Sequence, residues 1–292
     1  MVSVIIAAHN EESVIERCLG SLHRGGTPLQ IIVSANGCTD ATAELARSLN
    51  TTVVERSEAG KAGALNAAEE VATSFPRVYL DADILVPYGG IAALAAALDD
   101  ESGVLATMPR RRVNTAGRPW AVQAYFEINQ RLPVFRSGLF GRGLIVLSET
   151  GRARFGAFPD LIADDLFLDG QFTAEEKREV PEVEAVVEAP WTTADLLNRL
   201  VRVRRGNTQM RRATASHEVS GSVRSSDRWS WLRDVVLKDL SLAPAGVAYA
   251  AITVIAGLRA RRARQDVWGR DASTRERSTE TAASAALPTR PR

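Results

Sequence analysis

Cysteine is nearly absent from these 292 residues, with only Cys18 and Cys38 present. Two thiols make neither a disulfide framework nor a four-ligand zinc site, so a reducing compartment is the simplest expectation. Cys18 falls on the apolar face of an expected helix and reads as core. Lysine is as scarce: of 36 Lys and Arg residues, only Lys61, Lys177 and Lys238 are lysines. That bias singles out Lys61, which falls in a glycine-flanked turn. An excess of either charge is missing too. The formal net charge is +1, which gives no global reason to expect nucleic acid. No charged leader precedes the first apolar run, so no signal peptide is expected and the chain reads as cytoplasmic. Internal repeats are also lacking. The longest uncharged stretch, Ser241 to Leu258, is short for a membrane span and is interrupted by Pro244.

What is present is ordinary in bulk. A hydrophobic content of 45% and a charged content of 24% fit a globular protein of one large domain with an appendage. The first third alternates short apolar runs with amphipathic segments. Val2–Ala8, Ile31–Val33, Thr52–Val54 and Val78–Leu80 read as strands, and the segments between them as helices. Alternation at this spacing predicts a parallel sheet with covering helices. Asn10 reads as the N-cap of the first helix, with Glu11 and Glu12 in its first turn.

The most informative stretch is Val78-Tyr79-Leu80-Asp81-Ala82-Asp83. In extended backbone, positions i and i+2 face one side, so Asp81 and Asp83 are expected to share a point beyond the strand's carboxyl end. Ligands of open α/β sheets bind at that edge, and carboxylates suit Mg²⁺ or Mn²⁺ completed by phosphate oxygens and water. The competing reading makes Asp83 a helix cap and Asp81 a solvated turn residue. Three further loops are expected at the same edge: His9-Asn10-Glu11, Ala35 to Asp40, and Gly60-Lys61-Ala62-Gly63. Glycines there permit close approach to phosphate.

The run VSVIIAAHNEE, VSANGCTDAT, GKAGALNAA and YLDADI, in this order and spacing, resembles the nucleotide-binding half of a family 2 glycosyltransferase of non-processive bacterial type. The resemblance implies the GT-A fold: α/β, with a mostly parallel central sheet, helices on both faces, and here a C-terminal helical extension. It implies that Ala8, His9, Asn10 and Glu11 with Asn36, Gly37 and Asp40 hold the nucleoside. Asp81, Ala82 and Asp83 would handle the metal–diphosphate, with Lys61 and Asn66 near the donor. Relatives often carry paired aspartates where this chain has Ala35-Asn36; an Asn oxygen can still accept from a base N–H, and UDP is the favoured donor over GDP.

The second half carries fewer signals. Arg110-Arg111-Arg112 reads either as a solvated face or as a site for an anionic acceptor or lipid phosphate. Phe140 to Leu147 combines a glycine turn with an apolar strand, which the resemblance places at the floor of the acceptor site. Asp164-Asp165 opens a short apolar helix. From residues alone this is equally a first-turn acid pair; the resemblance makes Asp165 the catalytic base, with Asp164 as its neighbour and fallback. Arg205, in an arginine-rich helix, reads either as a surface residue or as a cation that neutralises the leaving diphosphate. His217 is a candidate third metal ligand beside Asp83 and Asp81, although a lone histidine in a polar loop more often has no such role. The processive Gln-x-x-Arg-Trp signature is missing from the Arg202–Gly206 region, which argues against polymer synthesis.

The expected organisation is a catalytic domain over 1–215 (1–109 nucleotide-binding, 110–215 acceptor), a helical segment over 216–270, and a disordered tail over 271–292. Trp229 to Leu240 reads as amphipathic. With the uncharged stretch and Arg259, Arg261, Arg262 and Arg264 after it, it fits contact with the inner face of a membrane through 229–264, the alternative being packing against the protein's own core. The resulting expectation is an inverting, metal-dependent transfer of a sugar from a nucleotide-diphosphate donor to a hydroxyl acceptor, lipid-linked or part of a cell-envelope glycoconjugate. The rivals are a non-catalytic nucleotide-sugar-binding or membrane scaffold protein and a sugar-phosphate nucleotidyltransferase. The latter would open with a glycine-rich, arginine-containing loop, which His9-Asn10-Glu11-Glu12 is not.

Overall fold

The computed structural model describes residues 1–161, 163–216, 219 and 227–262. Its first half runs β1 (Val2–Ala8), α1 (Ile15–His23), β2 (Leu29–Asn36), α2 (Thr42–Ser48), β3 (Thr52–Arg56), α3 (Lys61–Glu69), β4 (Arg77–Asp81) and α4 (Gly90–Ala96). The second half runs β5 (Ala106–Asn114), α5 (Trp120–Asn129), α6 (Val134–Ser137), β6 (Leu144–Leu147), α7 (Glu149–Arg152), α8 (Asp164–Asp169), β7 (Lys177–Glu188) and α9 (Thr193–Ala215). A π-helical turn, Trp231–Val236, and a short 3-10 turn lead into α10 (Ala243–Arg262).

Seven strands form one sheet in the order β3-β2-β1-β4-β6-β5-β7. The pairs β1–β2, β1–β4, β2–β3 and β5–β7 are parallel, and β6 is antiparallel to both its neighbours. Alternation along each strand splits the core between the two faces. Val4, Ile6, Val78 and Leu80 pack with Ile15, Cys18 and Leu19 of α1, while Ile5, Ile32 and Tyr79 pack with Ala62 and Leu65 of α3 and Phe167 of α8. Burial on both faces explains why these strands read as unbroken apolar runs.

Three local expectations differ from the structure. Asn10 does not cap α1, which starts five residues later; its backbone is left-handed (φ 54°) and its side-chain oxygen accepts from Thr39 N at 2.7 Å. β4 stops at Asp81, and Asp83 sits in the turn beyond it, where Ile84 N donates to Asp81 O at 3.1 Å. The two acids therefore meet the same space through a turn and not through strand alternation. Nor does Asp83 cap the next helix, since α4 begins at Gly90 behind Gly89. Pro244 lies in the first turn of α10, where its missing N–H costs nothing, so the helix runs unbroken.

The arginine triplet lies inside β5. Opposite Pro109/Arg110 the pairing with β7 slips, from Pro109↔Val180 to Arg110↔Glu184, a bulge that re-aims the strand. Arg142 fastens this irregularity. Fully buried, it donates from Nε to Gly138 O at 2.9 Å, from Nη1 to Pro109 O and to Glu179 Oε2 at 2.7 Å, and from Nη2 to Phe135 O. The expectation for the tail at 271–292, and for 263–270, falls outside the described residues.

Removing one partner of a buried ion pair costs roughly 3–5 kcal/mol, because the other charge is stranded. Arg142→Ala is expected to destabilise the protein by about that much in urea denaturation. A loss below about 1 kcal/mol would show that water replaces the guanidinium.

Candidate active site

The carboxyl ends of β1, β2 and β4 open into one cleft of about 3010 Å³ that continues between β5, α5, α9 and α10. Its lining includes His9, Glu11, Asn36, Lys61, Asp81, Ala82, Asp83, Asp164, Asp165 and Arg205. Residues from both halves of the chain thus meet in one space. Ala8, Asn10, Gly37, Asp40 and Asn66 stand behind that lining and shape the loops.

Asn36 ties the nucleotide-side loops together. Its Nδ2 donates to Ala8 O at 2.7 Å, and its Oδ1 accepts from Gly60 N at 2.9 Å. The oxygen expected to meet a base is therefore occupied by backbone, which makes Asn36 a strut between three loops. His9 Nδ1–H donates to Asn36 O at 2.6 Å, which fixes its tautomer. Gly37 turns with φ 57°, and a Cβ there would stand 2.9 Å from Ala59 N. Asp40 accepts from Thr42 Oγ1 and N and from Glu12 N, closing the loop before α2. The Asn66 amide exchanges two hydrogen bonds with the Phe158 backbone, at 2.9 and 2.7 Å, pinning α3 to the second half of the chain.

Lys61 occupies the centre of the site. Its Nζ is 2.7 Å from Asp81 Oδ1 and 2.9 Å from Asp164 Oδ2. Burial works against its charge, but Asp164 and Asp81 outweigh this and hold the ammonium well above its ordinary range. Gly143 supports the other side of Asp81: its O accepts from Asp81 N at 2.8 Å, and a Cβ would press on Ile84 at 2.5 Å and on Asp81 Oδ2 at 3.1 Å. Beneath lies Cys18, buried as expected, its thiol pushed up by burial and by the charges of Asp83, Asp81 and Glu11.

Asp165 Oδ2 accepts from Gly141 N at 2.9 Å. Burial and then the Asp164 charge push its pKa up to about 6, against the opposing pull of Lys61 and the Gly141 N–H. Such a carboxyl is ionised at neutral pH and basic enough to take a proton. Arg205, on α9, lines the same cleft and has a buried Nη2 with no hydrogen-bond partner among the described residues. A guanidinium N–H buried without an acceptor suits an anion.

No group of three or more His, Cys, Asp or Glu suited to a metal occurs among the described residues; His217 lies outside them. Asp81 and Asp83 are hard donors, and two carboxylates suit a Mg²⁺-like ion that draws its remaining ligands from phosphate and water. The donor set therefore fits the expected ion.

The family model described as glycosyl transferase family 2 matches residues 3–155, more than half of the chain. The chain belongs to glycosyl transferase family 2. It is thus a glycosyltransferase that draws on a nucleotide-sugar donor. Among solved structures, mannosyltransferase PcManGT from Pyrobaculum calidifontis, in complex with GDP-Man and Mn2+, is similar with a TM-score of 0.60 at 23% identity, over 98% of this chain and 80% of that one. S. aureus TarS 1-349 is similar with a TM-score of 0.50 at 15% identity, over 99% and 93%. Glucosyl-3-phosphoglycerate synthase from Mycobacterium tuberculosis is more distant, with a TM-score of 0.47 at 21% identity, over 64% and 70%. A search of curated proteins finds no match. The expected GT-A fold is thereby established for this glycosyltransferase.

Carbon-13 NMR titration of the aspartate carboxyls, with Asp165→Asn identifying the resonance, should give Asp165 a midpoint near 6. In Lys61→Met the midpoint should rise further, because the ammonium is what favours the ionised form. An Asp165 midpoint at the ordinary carboxylate value, unmoved by Lys61→Met, would refute this electrostatic account.

Proposed function

We propose that this glycosyltransferase performs a metal-dependent, inverting transfer from a nucleotide-diphosphate sugar to an acceptor hydroxyl, with Asp165 as base. The observation that carries the reading is the convergence of Asp81, Asp83, Lys61, Asp164, Asp165 and Arg205 on one cleft. Asp83 and Asp81 would hold Mg²⁺ or Mn²⁺, which supplies charge compensation for the leaving diphosphate when bound. Arg205 adds a second cation with an unsatisfied donor. Lys61 holds Asp81 and Asp164 in place and keeps Asp165 from being neutralised by its acidic neighbours. Asp165 accepts the acceptor's hydroxyl proton as that oxygen bonds to the anomeric carbon. The bond from that carbon to the diphosphate oxygen breaks on the opposite face, and the nucleoside diphosphate departs with the electron pair. Acceleration comes from orientation and charge placement, with no covalent intermediate.

UDP is the favoured donor. Asn36 is occupied by backbone, so selection of the base falls to other groups of the rim. GDP is the necessary comparison, since the Pyrobaculum structure was obtained with GDP-Man. The proposed organisation keeps 1–109 as the donor half and 110–215 as the acceptor half. The segment after 216 contributes α10, which buries Ile252 and Ala256 against Val122, Tyr125 and Leu196 of the acceptor half. Away from the cleft it exposes Val247 and Ile255, and Leu240–Arg262 is long and apolar enough to cross a membrane by length and composition. With Trp229, Leu237 and Leu240 also exposed, this supports peripheral contact at the inner membrane face, where a lipid-linked acceptor of envelope synthesis would be met.

Calorimetry with UDP and GDP, with and without Mn²⁺, should show metal-dependent micromolar binding of one nucleotide, lost in Asp83→Ala. Metal-independent binding that survives in the variant would remove Asp83 from the donor site. Separately, vesicles containing phosphatidylglycerol should co-sediment the protein. Replacing Val247 and Ile255 by Asp removes two apolar contacts worth roughly 1.5–3 kcal/mol each, so vesicle affinity should fall at least tenfold. Unchanged co-sedimentation would end the membrane reading.

A further inference from the structure

On the β5 and α9 side of the cleft, Arg111 and Arg199 form no ion pair with a carboxylate among the described residues. Arg111 projects from the β5 bulge into the lining, its guanidinium 4.3 Å over the Phe135 ring. Among the described residues its one hydrogen bond runs from Nη1 to Asn129 Oδ1 at 3.1 Å, and its buried Nε has no partner. The neighbouring residues do not compensate. Arg199, on the facing α9, also lines the cleft; it donates from Nη1 to Glu188 O at 3.3 Å and forms no ion pair among the described residues. Arg142 is nearby but already matched to Glu179. Tyr125, on α5, is held neutral by burial and by Tyr249, so it carries no negative charge toward Arg111. Burial, then Arg199 and Arg142, push Arg111 down to about 9. A charge placed at such cost without a partner marks a site for an anion.

The position of this charge identifies what the anion belongs to. Gly141 separates it from Asp165: its N–H donates to Asp165, and a Cβ on its other side would lie 3.9 Å from Arg111 Nε and 3.6 Å from Phe135. Arg111 therefore stands across Gly141 from the proposed base, with Arg199 beside it in the same cleft lining and not among the loops that follow β1, β2 and β3. Two forked guanidiniums, one fixed by stacking, suit the several oxygens of a phosphate better than a single carboxylate.

We infer that the acceptor substrate carries a phosphate group, held by Arg111 and Arg199 beside the hydroxyl that Asp165 deprotonates. The inference rests on the reading of Asp165 as base and defines the acceptor's chemical class. The phosphate belongs either to a water-soluble phosphoester or to a lipid. The apolar wall of Tyr249, Val254 and Leu258 along the same cleft has room for either.

The test is calorimetry on the full chain saturated with Mn²⁺ and its nucleotide, so that the donor site is filled. Glycerol 3-phosphate and dihexanoyl phosphatidic acid, below its micelle concentration, are the probes, and glycerol is the uncharged control. At least one phosphate probe should bind and glycerol should not; Arg111→Gln and Arg199→Gln should each weaken binding at least tenfold. Thermal unfolding checks that both variants fold, and Arg199→Gln, on a helix surface, guards against collapse of the β5 bulge. A lipid probe more than tenfold tighter assigns the phosphate to a lipid; equal binding assigns it to a soluble ester. Nucleotide binding without phosphate binding, or phosphate binding unchanged in both variants, overturns this inference and leaves the donor reading standing. Failure of nucleotide binding, with Arg111-dependent phosphate binding intact, overturns the donor reading instead.

Discussion

The Lys61 ammonium, shared between Asp81 and Asp164, is the interaction on which the rest of the site depends. Asp81 ends a strand of the first half of the chain, and Asp164 starts a helix of the second. Without a cation between them, three carboxylates would crowd one cleft, and Asp165 would be driven still further toward the neutral form. The same lysine thus closes the two halves on each other and keeps the proposed base usable. Its placement follows from the turn before α3: Gly60 donates to Asn36, and α3 starts at Lys61 with its side chain directed across the sheet edge.

Much of this was legible in the chain because it is local. Strand alternation, glycine turns and the Asp-Ala-Asp run each depend on a few neighbouring residues, and parallel topology places their ends on one edge. The family signature lies in that same region. The roles of Asn36 and Asn66 were not legible. An asparagine in a loop offers the same donor and acceptor to a ligand as to backbone, and here partners 24 and 92 residues away claim them. Asp83 shows the same limit on a smaller scale: a single turn after β4 replaced the extended geometry that i and i+2 spacing suggested.

The acceptor half was harder to read for a different reason. Arg110, Arg111 and Arg112 are identical in composition, and what separates them is the β5–β7 bulge. Arg112 meets Glu184 at the surface, whereas Arg111 turns inward over Phe135. That bulge is held by Arg142, the one fully buried arginine among the described residues, whose donors go to four acceptors contributed by α6 and its C-cap Gly138, β5 and β7. No periodicity marks such a residue. The only trace in the sequence is its position between two glycines, Gly141 and Gly143, both with positive φ.

The two arginines illustrate how burial separates structure from function. Burial pushes both Arg142 and Arg111 down. Arg142 recovers that cost through Glu179 and three carbonyls, so its energy goes into holding the bulge. Arg111 recovers little: one amide, one aromatic face, and no carboxylate. A well-packed interior would not keep such a group unless something outside the chain completed it. Because Arg111 hangs from the element that Arg142 fixes, and Gly141 lies between it and Asp165, the proposed phosphate site would inherit its rigidity from a buried ion pair outside the loops around Lys61. On that proposal, selection of the acceptor would rest on the second half of the sheet, independently of the lysine that organises the first.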